Sequence, residues 1–578
     1  MVRGTIGSRR LGALLCGSAA GLLAWTPAQA QDAGALLRQK QQQQELKTPQ
    51  KIEPKADPLA PPPNQPEQGE TVLVRTLHFA GKLDLLPEAD RQRIAASAEG
   101  KRLGISGIRA IADMATQAIQ ASGHMLGYAQ LPPQDVTQGE VTITLAEGTL
   151  DAIEVERGTG TRIDAGLLTR ILNQQGGGTV QKADLEAALL RIGDLPGVSA
   201  HARLMPGARP GTTRLSVQVD EQPPVSFEAW GDNGGTASTG RWQANAAVTL
   251  SDLSGAGEMA RLSGTLSEGQ KYLQAAVALP LDASGVTLNA SYAYLDYRNR
   301  DPIGRALDLK GHAQFLSYGL DAGLLRSRTL NLRLTAGLSW KLLADDSLLG
   351  RLQDKRILAG TLGLHGDDRD ALGGGGLTSW SIDWSFGTLD LSRVPAALAV
   401  DRAGLRTDGS FHHVDINLVR LQKLPRNFSL LARAYGQWAS RNLDSSEEIG
   451  LGGPYAVRGY GVGDGQGDAG LIETVELRYD MPFENGRDTF QLAGFLDAGR
   501  IWINADSGRV PLFNQCGCNS YALSSVGAAA RWTHRKFNLS LSYAVALGSN
   551  PGRSAITGAN ADGTRDRSQF WLQGALRF

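Results

Sequence analysis

From about Val225 to Phe578, apolar and polar residues alternate in runs of about ten to twelve, divided by turns rich in Gly, Asp, Asn and Ser. In "TLNLRLTAGLSW", Leu330, Leu332, Leu334, Ala336, Leu338 and Trp340 fall on one face, with Asn331, Arg333, Thr335 and Ser339 on the other. "FNLSLSYAVAL" sets Phe537, Leu539, Leu541, Tyr543, Val545 and Leu547 against Asn538, Ser540, Ser542, Ala544 and Ala546. "VTLNASYAYLDY" and "FSLLARAYGQW" behave alike. A period of two with unlike faces predicts a strand whose sides meet different surroundings.

A soluble sandwich also alternates. The runs here have the length that a tilted strand needs to cross a hydrocarbon core of about 30 Å. Their second face is small and polar, as in a wet lumen, and Trp340, Trp438 and Tyr543 lie on the apolar face or toward strand ends. The chain ends in "QFWLQGALRF", where Phe570, Leu572, Gly574, Leu576 and Phe578 alternate to a terminal aromatic. This resembles the C-terminal assembly signal of bacterial outer-membrane barrels. Beyond the first thirty residues no stretch offers the ~18 uninterrupted apolar residues of a spanning helix, and a closed barrel is the other way to satisfy backbone polar groups in lipid. At roughly 22 residues per strand and turn, residues 223–578 are expected to form a transmembrane β-barrel of about sixteen antiparallel strands, fourteen to eighteen being compatible. A barrel that wide has an aqueous interior and must be closed by something.

Upstream the period changes twice. Residues 71–149 read strand, helix, helix, strand, strand: "VLVRTLHFAG" and "EVTITLAEG" alternate, while "LPEADRQRIAASAEG" and "GIRAIADMATQAIQASGH" have helical spacing. Residues 150–222 repeat the order in "LDAIEVERG", "DAGLLTRILNQQGGG", "QKADLEAALLRIGDLPG", "VSAHARLMPG" and "TTRLSVQVDE". Two small α+β units therefore follow each other without a linker. With few strands each, they expose sheet edges able to accept an extended peptide. Before them, residues 48–70 carry prolines that forbid helix and sheet and predict an extended tether. Residues 31–47, "QDAGALLRQKQQQQELK", are strong helix formers with little apolar surface. Two readings stay open for them: a disordered tail, or a helical plug on a leash.

Residues 1–30 have basic residues, an apolar run from Leu11 to Trp25 and a small-x-small site at Ala28-Gln29-Ala30, which predicts a cleaved secretory signal peptide. Cys16 lies in that run, leaving Cys516 and Cys518 in the mature chain. In an oxidising compartment these two form a small disulfide loop or remain free thiols. Lys plus Arg and Asp plus Glu both number 58, so bulk charge argues for neither nucleic acid nor an acidic partner. No spacing suggests a metal or cofactor: "GDGQGDAG" places Asp464 and Asp468 among glycines but lacks the acidic ligands of a calcium loop. "LHGDDRDALGGGG" and "FHHVD", with His412 and His413, read as solvated surface loops. No catalytic constellation is found, and no enzyme is expected.

"PYAVRGYGVGDGQGDAG" places one fixed positive charge, Arg458, in a loop of glycine and small residues, the core of which is Val457-Arg458-Gly459-Tyr460. "GFLDAGRIW" contains Phe495, Asp497 and Gly499 as F-x-D-x-G. With "GYAQLPPQDVTQGEVTITLAEGTL", "LPGVSAHARLMPGARPGTTRLSVQVDE" and "WGDNGGTASTG", and in this order, the chain resembles the transporters of two-partner secretion. These haemolysin secretion/activation proteins carry two periplasmic POTRA units before an outer-membrane barrel. The resemblance implies that "VRGY" tips a loop folded into the lumen and that Arg458 pairs with Asp497 on the inner wall. It also implies a partner: a large exoprotein with an N-terminal secretion domain, such as an adhesin, haemolysin, contact-dependent toxin or haem-scavenging protein. Outer-membrane lipids and, during biogenesis, the barrel-assembly machinery are the other expected partners. A bidentate Arg–carboxylate contact is a physical means of holding such a loop in register. The rival readings are an assembly factor for other barrels, which shares these motifs, and a passive channel or adhesin.

Overall fold

The computed structural model describes residues 32–46 and 71–578, apart from residues 125, 137, 148, 174–181, 207–211, 482, 484–487 and 509. The expected signal peptide and tether lie outside the described residues. Sixteen antiparallel strands, from Val225–Asp232 to Ser568–Arg577, close into one barrel. Each strand pairs with its neighbour in sequence, the simplest route to a sheet without edges. The closing pair is short, running from Gln573 opposite Asp232 to Arg577 opposite Glu228. Strand length varies more than the pattern suggested: Val225–Asp232 has 8 residues and Gly350–Asp370 has 21.

The alternation sorts residues as predicted. Leu334, Leu338, Trp340, Trp438 and Tyr543 are exposed on the outer wall, where lipid covers them, whereas Lys341, Asp345 and Lys355 are buried in the interior. Phe570 is on the outer wall too. The backbone of Phe578 exchanges hydrogen bonds with Phe227 of the first strand (2.8 and 3.2 Å), so the terminal aromatic helps complete the closure.

Two sequence readings are corrected by the strand boundaries. Residues 364–370 are the end of the Gly350–Asp370 strand rather than a surface loop. His412 and His413 lie in the strand Gly409–Lys423, with His413 buried between Asp415 (2.8 Å) and Glu447 (3.5 Å). Both misreadings have one cause: a water-filled barrel tolerates polar residues on its inner face, so charge density does not mark a loop.

The upstream region forms two units of one design. In the first, Thr76–Gly81 runs parallel to Glu140–Glu147, which pairs antiparallel with Gly127–Gln130; the helices Glu88–Ala98 and Ile105–Ala121 cover the sheet. In the second, Thr149–Arg157 runs parallel to Thr212–Glu221, which pairs antiparallel with Val198–Pro206, under helices Ala165–Asn173 and Lys182–Gly193. Each has its own apolar core, centred on Ile119 and Ile143 in one and Leu168 and Leu215 in the other. The second unit is tied to the barrel's turns: Arg162 Nε donates to Asp252 O (2.8 Å), Asp164 N to Gly255 O (2.8 Å), and Arg328 pairs with Glu186 (3.0 Å).

Candidate functional site in the barrel lumen

The strand Asp488–Trp502 turns Phe495, Asp497 and Gly499 inward and Leu496 outward. Residues 440–468, between strands Phe428–Ala439 and Ala469–Met481, fold back into the barrel; the short pairing of Ile449–Gly450 with Gln466–Gly467 narrows their base. At the tip Arg458 grips Asp497 with two prongs, Nε to Oδ2 (2.9 Å) and Nη2 to Oδ1 (2.8 Å), and its backbone N–H donates to Oδ2 (3.1 Å). Its third nitrogen, Nη1, donates to Glu476 (2.8 Å). The guanidinium lies 3.2 Å from the centre of the Phe495 ring, a stacked cation–π contact.

Arg458, Asp497 and Glu476 are all buried. A charge with so little water around it must be paired, and loss of one partner leaves the other uncompensated. The wall meets that need: Thr474 Oγ1 donates to Asp497 (3.1 Å), while Arg478 and Arg531 both hold Glu476 (2.7 and 2.8 Å). Gly459 N donates to Ser525 Oγ (3.1 Å), and Trp571 Nε1 donates to Arg458 O (2.8 Å). The motif's glycines serve close approach. A Cβ on Gly459 would meet Ser525 Cβ at 2.6 Å, and one on Gly499 would meet Val457 at 3.1 Å. Val457 and Tyr460 pack in an apolar cluster with Ile501, Leu523 and Ala546.

The helix Ala33–Glu45 also lies in the lumen, contrary to a tail reading: Ala33, Leu36 and Leu37 pack with Leu295, Leu343, Ile357 and Phe411 of the wall. Its few apolar residues thus find partners, and its polar ones are held individually. Asp32 caps the helix through Ala35 N (2.8 Å) and pairs with Lys355 (2.8 Å). Arg38 reaches Tyr435 OH (3.2 Å), Gln437 (3.2 Å) and Glu448 O (3.2 Å). Gln42 exchanges two hydrogen bonds with the backbone of Gly450 in the loop (2.8 and 3.0 Å). Arg433 on the wall donates to Leu46 O at the helix end (2.8 Å) and to Tyr455 O of the loop, so one guanidinium holds both lumenal elements.

The other sequence candidates take no part in the Arg458–Asp497 contact. Cys516 and Cys518 are joined as a disulfide in residues 503–519, the loop beyond Trp502. Asp464 accepts from Gly461 N (3.1 Å), Ala561 N (2.9 Å) and Asn550 (3.2 Å), whereas Asp468 accepts from Leu443 N (2.9 Å) and Ala505 N (2.7 Å). They are loop fasteners rather than a shared cation site, and among the described residues no cluster of three or more metal-ligating side chains occurs.

The lumenal residues that sequence reasoning missed are Glu476, Arg478, Arg531, Trp571, Arg433 and Arg38. Two left a signal. In "GLIETVELRYD", Thr474, Glu476 and Arg478 share an inward parity, and Trp571 is a bulky aromatic on the parity opposite Phe570.

Sixteen strands, two small α+β units on one side and a lumen filled by a loop and a helix define a POTRA-bearing outer-membrane transporter. Residues 211–527 match the model for the haemolysin secretion/activation protein family ShlB/FhaC/HecB, and residues 72–148 match the ShlB-type POTRA domain. The chain belongs to that family: it is an outer-membrane transporter of two-partner secretion, which exports a partner exoprotein and keeps its POTRA units in the periplasm. It is similar to the heme/hemopexin transporter protein HuxB of Haemophilus influenzae, 27% identical over 485 residues, or 82% of this chain and 81% of that one. It is similar to the outer membrane transporter CdiB of Escherichia coli, 25% identical over 440 residues, or 73% and 71% of the two chains. The solved structure of CdiB from Escherichia coli superposes with a TM-score of 0.67 at 21% identity, covering 96% of this chain and 100% of that one, which shows the shared fold.

Proposed function

We propose that this chain is the dedicated pore for one large exoprotein or a small set, and that two lumenal elements gate it. The observation that carries the reading is that helix and loop are held by polar contacts that are strong when dry and exchangeable for water. The buried Arg458–Asp497 pair fixes the loop; the helix is seated by Asp32, Arg38 and Gln42.

The exoprotein's N-terminal region is captured in the periplasm by pairing with a POTRA sheet edge. The second unit offers the longer edges, nine residues each in Thr149–Arg157 and Val198–Pro206, against six and four in the first unit. In the first unit Glu99 takes Leu77 N (3.0 Å) and Thr116 takes Ala129 N (2.9 Å), which partly occupies both edges. The held segment then enters as helix and loop yield. No protein group is required to do chemistry; folding of the exoprotein outside supplies the direction.

The test is deletion of the gene in its host, with surface and supernatant proteins compared before and after restoration. Loss of one large protein, restored by wild type, supports the reading. A parallel fall of many outer-membrane proteins favours the assembly-factor alternative. The name of HuxB makes a haem-scavenging cargo the first class to look for among the lost proteins.

A further inference from the structure

We propose that the Cys516–Cys518 disulfide is an oxidising site at the outer mouth of the pore, which passes its disulfide to a pair of reduced cysteines in the chain that emerges. The inference rests on the proposed export reading, since it takes the exported chain as its substrate.

The pair stands where that chain must leave. Residues 503–519 lie at the end of the barrel opposite the turns that hold the second POTRA unit. They border the base of the lumenal loop, with Ala505 N donating to Asp468 (2.7 Å) and Asp506 N to Asn442 (2.7 Å). Cys516 and Gly517 are exposed, and Cys518 is half-buried. Gly517 has a φ of +59°, which glycine adopts at no steric cost, and a Cβ built there would meet nothing within 4 Å. The crest of the turn is open to an incoming thiol.

The fold of this loop does not depend on the bond. Asn514 already closes the same turn, its Nδ2 donating to Cys518 O (2.7 Å) and its Oδ1 accepting from Cys518 N (3.1 Å). The flanking backbone is fixed to the neighbouring loop, Gln515 N donating to Arg553 O (2.7 Å) and Ala555 N to Phe513 O (3.0 Å). A disulfide stabilises mainly by restricting the unfolded chain, and a ring with a single residue between its cysteines restricts it least. Exposed disulfides are also the ones that exchange with thiols, whereas structural ones resist.

Threading supplies the need. A chain that crosses the lumen unfolded cannot carry disulfides that close long loops, so cysteines destined to pair must pass as thiols and be oxidised outside. The exchange balances in two steps. A thiolate of the emerging chain attacks Cys516 Sγ, which forms a mixed disulfide and releases Cys518 as a thiolate. A second thiolate of the same chain then attacks its partner's sulfur in that mixed disulfide, and Cys516 leaves as a thiolate. The exported chain gives up two electrons and becomes a disulfide; Cys516 and Cys518 take them up and, once protonated, are two thiols. A low-molecular-mass disulfide in the oxidising exterior recharges the pair by the same exchange.

The test uses the intact pore purified from outer membranes and, as probe, a synthetic peptide with two reduced cysteines. At about pH 8, where a thiol is partly ionised, wild type should oxidise the peptide at least about tenfold faster than the double variant Cys516→Ser, Cys518→Ser. Each peptide disulfide formed should leave two new thiols on the pore, and a peptide with a single cysteine should be trapped as a mixed disulfide on Cys516. The double variant should match wild type in conductance and in unfolding temperature, and the protein it exports should retain thiols that wild type converts to disulfides. Equal oxidation by wild type and the double variant overturns the proposal. So does a double variant that unfolds at a lower temperature, which would make the bond a staple, or an exported chain that contains no cysteines. The peptide assay needs no cargo and the gene deletion reads export by itself, so failure of the export reading is seen separately.

Discussion

The loop and the helix occupy the same lumen but are fastened in opposite ways. The loop is anchored by one concentrated contact, a bidentate pair between Arg458 and Asp497 that is buried and buttressed by Glu476, Thr474, Ser525 and Trp571. The helix is held by many separate contacts spread from Asp32 to Leu46. The difference follows from covalent connection. Both ends of the loop continue into barrel strands, so it can only shift in place and needs a device that sets its register. The helix joins the periplasmic units through residues 47–70, and on the proposed gating it leaves the lumen entirely, its dispersed contacts released stepwise.

The comparison is broken most severely at Asp497. Asp497→Ala leaves Arg458 buried against Glu476 alone, and losing one partner of such a pair costs about 3–5 kcal/mol. Barrel insertion should persist while export falls by at least about tenfold, a factor worth 1.4 kcal/mol; cell-surface protein and supernatant assays check it. Arg458→Ala should act in the same direction but less, because Glu476 keeps Arg478 and Arg531.

Deletion of residues 31–47 comes next, since it removes the helix without touching the wall. Single-channel conductance should rise clearly above wild type, and an unchanged current would return the segment to the status of a tail. Arg433→Met should sharpen the comparison by separating the two elements. Their coupling through Leu46 O and Tyr455 O would be lost, so that Asp497→Asn and a helix variant such as Arg38→Ala become additive in channel-opening frequency where in the wild-type background they are not.

The smallest effect concerns pH. Burial pushes the carboxyl of Asp464, in the loop, up to about 6. A value above the ordinary one of about 3.9 means that the seated loop prefers the protonated acid. That contribution is complete below about pH 4 and is lost as pH rises through 6. Loop opening should therefore be a few-fold more frequent at pH 7.5 than at pH 5, and Asp464→Asn should flatten the dependence when current is recorded across that range.

The barrel was legible because its outer wall obeys one rule. Leu334, Leu338 and Trp340 must face lipid, so a period of two runs through the strands, and spacing alone narrows the count to between fourteen and eighteen, around the sixteen that close the barrel. The lumen obeys no such rule. His413, Glu476 and Lys341 look like surface charges in sequence, and only the folded wall shows that they are buried and paired. The Arg458–Asp497 pair was reached through the resemblance of two motifs, since 39 residues separate the partners and no local pattern joins them. The helix was ambiguous for the same reason: its seat is made of Lys355, Tyr435 and Gly450, which come together only when the barrel closes.

The account's central claim is that the helix must leave its seat for export. A crosslink tests it most directly. A Cβ on Gly34 would lie 3.0 Å from Ser446 Cβ at the loop base, so a shift of about half an ångström or more brings the double variant Gly34→Cys, Ser446→Cys to the ~3.5–4.5 Å separation of bonded cysteines and pins the helix. Export of the partner exoprotein is then followed with the bond oxidised and reduced, against wild type treated identically to control for Cys516–Cys518. The account predicts that export stops when the bond is closed and resumes on reduction. Export at the wild-type rate with the helix pinned would contradict it.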